Sequence, residues 1–184
     1  MGRIEDLADA FHEHAVLPWQ NNLAGAQRIL MVVYDKQLER TLRARIDEFR
    51  QRSVSAGHDW HLVDMTAWFS EWLSGEDYSD SYFEDPDALG TKIGGFKKFA
   101  IAKLIDLVKR QGPNAVVGVL GAASLYGFVR VSELIHEVES NVNGRLLIFF
   151  PGVKNGTNYR LLDARDGWNY LATGITLGSQ GGLS

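Results

Sequence analysis

The chain alternates between short, continuous hydrophobic runs and longer segments whose hydrophobic residues recur every three or four positions. The continuous runs, which predict strands covered on both faces of a sheet, are 28–35, 60–64, 115–120 and 145–150. The periodic segments predict amphipathic helices at about 4–15, 38–49, 66–73, 95–109 and 129–138. Because strands that alternate with helices pair in parallel, we expect a three-layer α/β domain with a mainly parallel sheet of four to six strands.

The remaining segments are less regular, and they bear on the domain boundaries. Residues 159–163 could add an edge strand, and residues 168–171 could form either a hairpin or a helical turn. Residues 75–87 combine acidic and aromatic side chains and predict a surface excursion that could dock a partner. We expect one α/β domain over residues 1–177, followed by a flexible Gly/Ser-rich tail at 178–184.

The composition narrows the possible classes of protein. Hydrophobic residues make up 45% and charged residues 23%, which predicts a packed globular fold. The absence of cysteine excludes disulfides, a thiolate nucleophile and zinc sites that need sulfur. The N-terminus has no signal-peptide pattern and no apolar run reaches the ~20 residues of a membrane span, so we expect a cytoplasmic protein. A net charge of −4 argues against broad electrostatic capture of nucleic acid.

A search for catalytic chemistry begins at the carboxyl ends of the predicted strands, where parallel sheets bind ligands. Asp35 and Asp64 could hold Mg²⁺ there, but each also precedes a predicted helix, and we favour helix capping. Gly121 and Ser124 are weak candidates for binding an anion in a strand-to-helix turn, for which a tight turn is the favoured interpretation.

The requirements of a phosphate loop and of a catalytic serine are not met in the sequence. The segment 90–97 carries Phe96 where a Walker A loop needs lysine, and the turn at Gly121 has no lysine either. Ser124 lacks the Gly-x-Ser-x-Gly elbow of a serine hydrolase, and the histidines do not have metal-ligand spacing. We therefore expect a P-loop-like outline without a Walker A loop, no catalytic residues, no metal and no cofactor.

The most unusual part of the sequence lies near the C-terminus, where arginines, acids and aromatic residues are crowded together. Such side chains dominate protein interfaces, so a docking surface is one interpretation. An internal network in which Arg160 or Arg165 clamps Asp163 or Asp166 is an equal alternative. The candidate partner-binding residues are Arg130, Arg160, Asp163, Arg165, Asp166, Trp168, Asn169 and Tyr170.

Three stretches of the sequence resemble motifs of the BrxB family of BREX bacteriophage-resistance systems. They are 121–134, 147–152 and 158–171, and the resemblance extends over most of the chain, from 28–35 to Thr176. It implies a cytoplasmic component of a multiprotein defence assembly that also contains a large ATPase, an adenine methyltransferase and a PglZ-type protein with a phosphatase-like domain. The family supplies no catalytic residues to carry over to this chain.

The sequence thus predicts a non-catalytic adaptor of a BREX complex. We expect it to bind the PglZ-type subunit above all, possible further partners being the ATPase and the methyltransferase, and to contact DNA only indirectly and no membrane. One alternative is a nucleotide- or metal-dependent enzyme, or a regulatory nucleotide-binding module, that uses Asp35, Asp64 and the Gly121 turn. A DNA-binding module is a third hypothesis, which predicts retention on duplex DNA that falls steeply with salt.

Overall fold

A hydrophobic sheet organises the fold in a computed structural model that describes residues 3–20, 22–75, 93–162 and 167–177. Within these residues the sheet has seven strands, β1 (Ile29–Tyr34), β2 (Asp59–Asp64), β3 (Ala115–Leu120), β4 (Arg145–Asn155), β5 (Asn158–Leu161), β6 (Trp168–Asn169) and β7 (Thr173–Ile175). Five of them pair in parallel in the order β2-β3-β4-β1-β7. The predicted α/β class with a mainly parallel sheet is confirmed.

Helices cover both faces of this sheet and make it the middle of three layers. One face is covered by α1 (Arg3–Ala15), α2 (Glu39–Ala44) and α3 (Asp47–Ser55), and the other by α4 (Trp68–Gly75), α5 (Ile93–Lys109) and α6 (Val131–Val138). Alternate residues of β1 and β4 contribute to the two separate hydrophobic clusters. This two-sided burial explains why these strands consist of continuous hydrophobic runs.

Strand β2 differs from its prediction as a buried strand. Among the described strands it lies at the edge of the sheet and pairs only with β3, and Leu62 is 43% exposed. Trp60 lies across Gly118 of β3, since a Cβ placed on Gly118 would approach the Trp60 ring to 2.6 Å. The absence of a side chain at Gly118 therefore makes room for the edge tryptophan.

The predicted helix at 38–49 is interrupted. A 3-10 turn over Lys36–Leu38 leads into α2, and Arg45 and Ile46 separate α2 from α3. The carboxylates of Asp47 and Glu48 lie in the first turn of α3, where their negative charges stabilise the positive end of the new helix. The hydrophobic stripe is nevertheless continuous across the break, because Leu42 and Phe49 are both buried in the same cluster.

The C-terminal part of the sheet is an antiparallel extension. β4 runs five residues beyond the predicted end at 150, to Asn155, and pairs with β5, which in turn pairs with β6. The hairpin alternative for 168–171 is thus the one observed. β7 was not predicted, and it pairs with β1 at the far edge of the sheet. Residues 178–184 and 76–92 lie outside the described residues, and the second range contains all but the first residue of the predicted acidic excursion at 75–87.

Among the described residues, no helix combines the length and the apolar character needed to cross a bilayer.

Candidate functional site

The carboxyl ends of the parallel strands surround a cavity of about 300 Å³, which we call the carboxyl-edge cavity. It lies where an open parallel sheet usually binds its ligand. Its described lining consists of Lys36, Glu39, Arg43, Thr66, Gly121, Ala123, Ser124, Pro151 and Leu162. The nucleotide or metal alternative from the sequence depends on what these side chains offer to a ligand.

Arg43 in the lining of this cavity is paired with Glu39 and with Asp64. The Arg43 guanidinium donates to Glu39 Oε1 at 2.9 Å, to Asp64 Oδ2 at 2.9 Å and to Thr66 Oγ1 at 2.7 Å. Burial opposes ionisation of Asp64, but hydrogen bonds from Thr66 and Arg43 outweigh it and lower the pKa of Asp64. The Tyr34 hydroxyl also donates to Glu39. This network stabilises the carboxyl end of the sheet. It keeps Asp64 ionised and hydrogen-bonded to Arg43 and Thr66.

The two aspartates proposed as metal ligands have separate local roles. Asp35 Oδ1 accepts from the backbone N–H of Gln37 at 2.8 Å and caps the following 3-10 turn, so the capping interpretation of Asp35 is confirmed. Asp64 Oδ1 accepts from the backbone N–H of Thr66 at 3.0 Å. Within the four described ranges, no group of three or more His, Cys, Asp or Glu side chains is placed to hold a metal ion.

The turn after β3 is held together by its own hydrogen bonds. Gly121 adopts a left-handed conformation with φ of 89°, and a Cβ there would lie 2.7 Å from the backbone nitrogen of Thr66. The Ser124 hydroxyl donates to the carbonyl oxygen of Gly121 at 2.6 Å. In a P-loop protein the phosphate loop follows a strand, but after β1 residues 35–38 read Asp-Lys-Gln-Leu, without glycine.

A second group of candidate residues lies on the antiparallel extension, where three aromatic rings pack together. The ring centroids of Phe150, Tyr159 and Trp168 are separated by 5.5–6.0 Å. Tyr159 is fully buried, and its hydroxyl donates to the carbonyl oxygen of Ala172 at 3.1 Å. The Trp168 indole N–H is buried and has no hydrogen-bond partner among the described residues. Natural proteins seldom leave such a donor unpaired.

Trp168 forms one wall of a cavity of about 560 Å³, which we call the docking cavity. Its described lining consists of residues 126–132 together with Leu161, Gly167 and Trp168. The turn before α6 thus brings Arg130 to the same concavity as Trp168. Arg130 is exposed and forms no ion pair with any described residue, and Tyr126 is 52% exposed at the rim. An aromatic side chain and an exposed cation are therefore presented together.

The other predicted partner-binding residues are only partly brought to this cavity. Arg160 lies on β5 opposite Val153, and Asn169 lies on β6 opposite Asn158. Asn169, Tyr170 and Trp168 border a neighbouring depression of about 430 Å³. The Tyr170 hydroxyl donates to Glu139, and burial together with this bond raises the pKa of Tyr170. Asp163, Arg165 and Asp166 lie outside the described residues, and with them the acidic half of the predicted internal network.

Tyr126, Ser132 and Glu139 were missed by the sequence analysis, although the first two line the docking cavity and the third binds Tyr170. Tyr126 carried a usable signal, because a large aromatic residue beside Gly127 in a turn is seldom buried by the turn itself. Ser132 and Glu139 carried none, since both are ordinary residues of a helix and its end.

Comparison of the chain with protein-family models, with curated proteins and with solved structures finds no match.

Proposed function

We propose that the protein is a non-catalytic adaptor that binds other proteins of a BREX-type phage-defence assembly through the docking cavity. The observation that carries this proposal is the joint presentation around one concavity of exposed Tyr126, half-buried Trp168 and Arg130, which pairs with no described residue. Tyrosine, tryptophan and arginine are the side chains that contribute most binding energy at protein interfaces, especially when they surround a pocket. By contrast, Arg43 and Glu39 at the carboxyl-edge cavity already pair with each other.

The chemistry of the cavity wall favours an acidic partner. α6 begins at this wall, and its N-cap residue, Arg130, makes no capping hydrogen bond with its side chain. In the first turn of α6 the Glu133 N–H already donates to the carbonyl oxygen of Arg130 at 3.1 Å, which leaves the N–H groups of Val131 and Ser132 at the positive end of the helix. Together with the Arg130 guanidinium and the Ser132 hydroxyl, they form a set of donors suited to a carboxylate. We therefore propose that an acidic segment of the partner enters the cavity.

The identity of the assembly rests on the sequence resemblance to the BrxB family. On that basis the partner is the PglZ-type subunit, the complex works in the cytoplasm, and this chain reaches DNA only through its partners. Other subunits would then carry out DNA methylation and any reaction on phosphate groups.

Binding to the PglZ-type protein is expected to weaken at least tenfold when Arg130 is changed to glutamine, because the variant loses a charge-assisted hydrogen bond to the partner carboxylate. Isothermal calorimetry with the two purified proteins measures this change. The matched control is Arg110→Gln, since the Arg110 side chain is 67% exposed and pairs only with Asp106 among the described residues. Equal affinities of the wild type and Arg130→Gln would rule out this cavity as the binding site.

A calorimetric titration with ATP and Mg²⁺ separates the adaptor from the nucleotide-dependent alternative. The adaptor proposal predicts no heat of binding. A saturable heat that disappears in Ser124→Ala would instead support a nucleotide site at the carboxyl-edge cavity. Retention on duplex DNA that falls steeply with salt would support the DNA-binding hypothesis.

A further inference from the structure

The amino ends of the parallel strands lie opposite the carboxyl-edge cavity. There the first residue of β4 is a buried arginine. Arg145 is 7% exposed, and its side chain makes a hydrogen bond and a cation–π contact. Its Nη1 donates to the carbonyl oxygen of Gly144 at 3.0 Å, and its guanidinium lies 4.6 Å from the centroid of the Trp19 ring. No carboxylate pairs with it among the described residues.

A buried guanidinium without a counter-charge is an unfavourable arrangement. Arginine stays protonated in proteins, so it cannot avoid the cost of desolvation by losing its charge. Burial and the nearby charge of Arg28 both lower the pKa of Arg145, in keeping with a buried guanidinium that no described carboxylate pairs with. The Trp19 ring face offers only partial compensation. An anion is the missing element that would make this arrangement favourable.

The Trp19 ring, which lies against the Arg145 guanidinium, is itself fixed in position. His58 stacks on Trp19 with the ring centroids 3.6 Å apart and the planes 5° from parallel. The two ring nitrogens of His58 lie 2.8 Å from Asn114 Oδ1 and 2.7 Å from the carbonyl oxygen of Ala15. The stack thus anchors the arginine to α1 and to the turn before β3, so the guanidinium is held in place before any ligand arrives.

Arg145 and Trp19 line a cavity of about 150 Å³ beside the C-terminal end of α1. The other polar side chains of its described lining are His14, Gln27 and Thr173, and each of them can donate a hydrogen bond. Gln27 Oε1 is already occupied by the backbone N–H of Ala24 at 3.0 Å, which leaves its amide N–H groups. The described lining contains no carboxylate, so the cavity offers donors to a ligand.

We propose that this amino-edge cavity binds a small oxyanion, the carboxylate or phosphate group of a small molecule, with Arg145 as its principal donor. The fork of an arginine side chain matches both groups, because each presents two oxygens to its N–H groups. At about 150 Å³ the cavity is smaller than the ~300–1,000 Å³ typical of small-molecule sites, which suits a small anionic group. This site is separate from the docking cavity and does not depend on the adaptor proposal.

The test is a titration of the full chain with sodium phosphate and, separately, sodium acetate, at constant ionic strength made up with sodium chloride. A ligand that binds only the folded state raises the midpoint of urea unfolding until the site is saturated. We expect a saturable rise with at least one of the two anions. A rise with phosphate alone identifies a phosphate group, and a rise with acetate alone identifies a carboxylate.

The variant Arg145→Gln is expected to bind the effective anion at least tenfold more weakly, while the exposed control Arg110→Gln binds it as the wild type does. Without an anion, Arg145→Gln should unfold at the same or a higher urea concentration than the wild type, because it removes a buried charge. If Arg145→Gln does not fold, Arg145→Lys keeps the charge but loses the fork, and it should also bind more weakly. Absence of a saturable rise in the wild type, or an equal rise in the variant, overturns the proposal.

Discussion

Replacement of Tyr159 by alanine is expected to lower the free energy of unfolding by about 3–5 kcal/mol, as for other large buried aromatic residues. Tyr159 is 0% exposed and packs between Phe150 of β4 and Trp168 of β6. The variant loses the burial of the ring and leaves a cavity at the base of the antiparallel extension. Urea denaturation of the purified protein measures the change.

Two further variants test which part of Tyr159 stabilises the fold. One removes only its hydroxyl group, and the other removes a tyrosine of equal size from an exposed position. Tyr159→Phe keeps the packing but removes the hydrogen bond to Ala172, which should cost about 1 kcal/mol. Tyr126→Ala removes an equally large side chain that is 52% exposed, and it should change the free energy of unfolding by less than about 0.5 kcal/mol. A cost below about 1 kcal/mol for Tyr159→Ala would contradict the idea that this ring fixes Trp168 at the wall of the docking cavity.

The central strands of the sheet could be predicted from the sequence. The continuous hydrophobic runs predicted β1 to within one residue at each end and β3 with its observed bounds. These strands are covered by helices on both faces, so nearly every residue must be hydrophobic and the pattern is strong. β4 was located as well, but after Pro151 its extension alternates partly buried and exposed residues in the manner of an antiparallel strand.

The edges of the sheet were harder to predict for a physical reason. Whether β2 is central or at an edge depends on the order of strands, which long crossovers determine and which no local pattern records. β7 has three residues, too few to show any periodicity, and it is a strand only because β1 offers it backbone partners. Its place in the sheet is a tertiary property.

The candidate-site residues also differ in how well the local sequence predicts their roles. The capping role of Asp35 could be predicted because it involves a backbone N–H two residues away. Arg130 and Trp168 could be singled out by residue type, but their meeting at one cavity depends on how α6 and the hairpin pack. Arg145 gave no signal, because an arginine at the start of a strand is ordinarily solvated, and only the placement of Trp19 shows that it is buried.

The free energy of unfolding is also expected to fall as the pH rises above about 10, the ordinary pKa of tyrosine. Burial raises the pKa of Tyr159 to about 12. Burial and hydrogen bonds to Glu39 and Glu139 raise the pKa values of Tyr34 and Tyr170 further. Above the ordinary pKa the unfolded chain loses these protons while the folded chain keeps them, so the unfolded state binds fewer protons and gains in stability relative to the folded state.

For Tyr159 alone, the stabilisation is complete below pH 10 and is lost as the pH approaches 12, which amounts to on the order of 2–3 kcal/mol. Urea denaturation at several pH values between about 9 and 11 measures the decline, and tyrosinate absorbance shows whether ionisation accompanies unfolding. Tyr159→Phe should show a shallower decline, because it removes one of the titrating groups. Stability that stays flat over this interval, or ionisation of all tyrosines while the chain remains folded, would contradict the burial of these hydroxyls. The shallower slope would also show that the hairpin beneath Trp168 unfolds together with the parallel sheet, as its shared hydrophobic cluster requires.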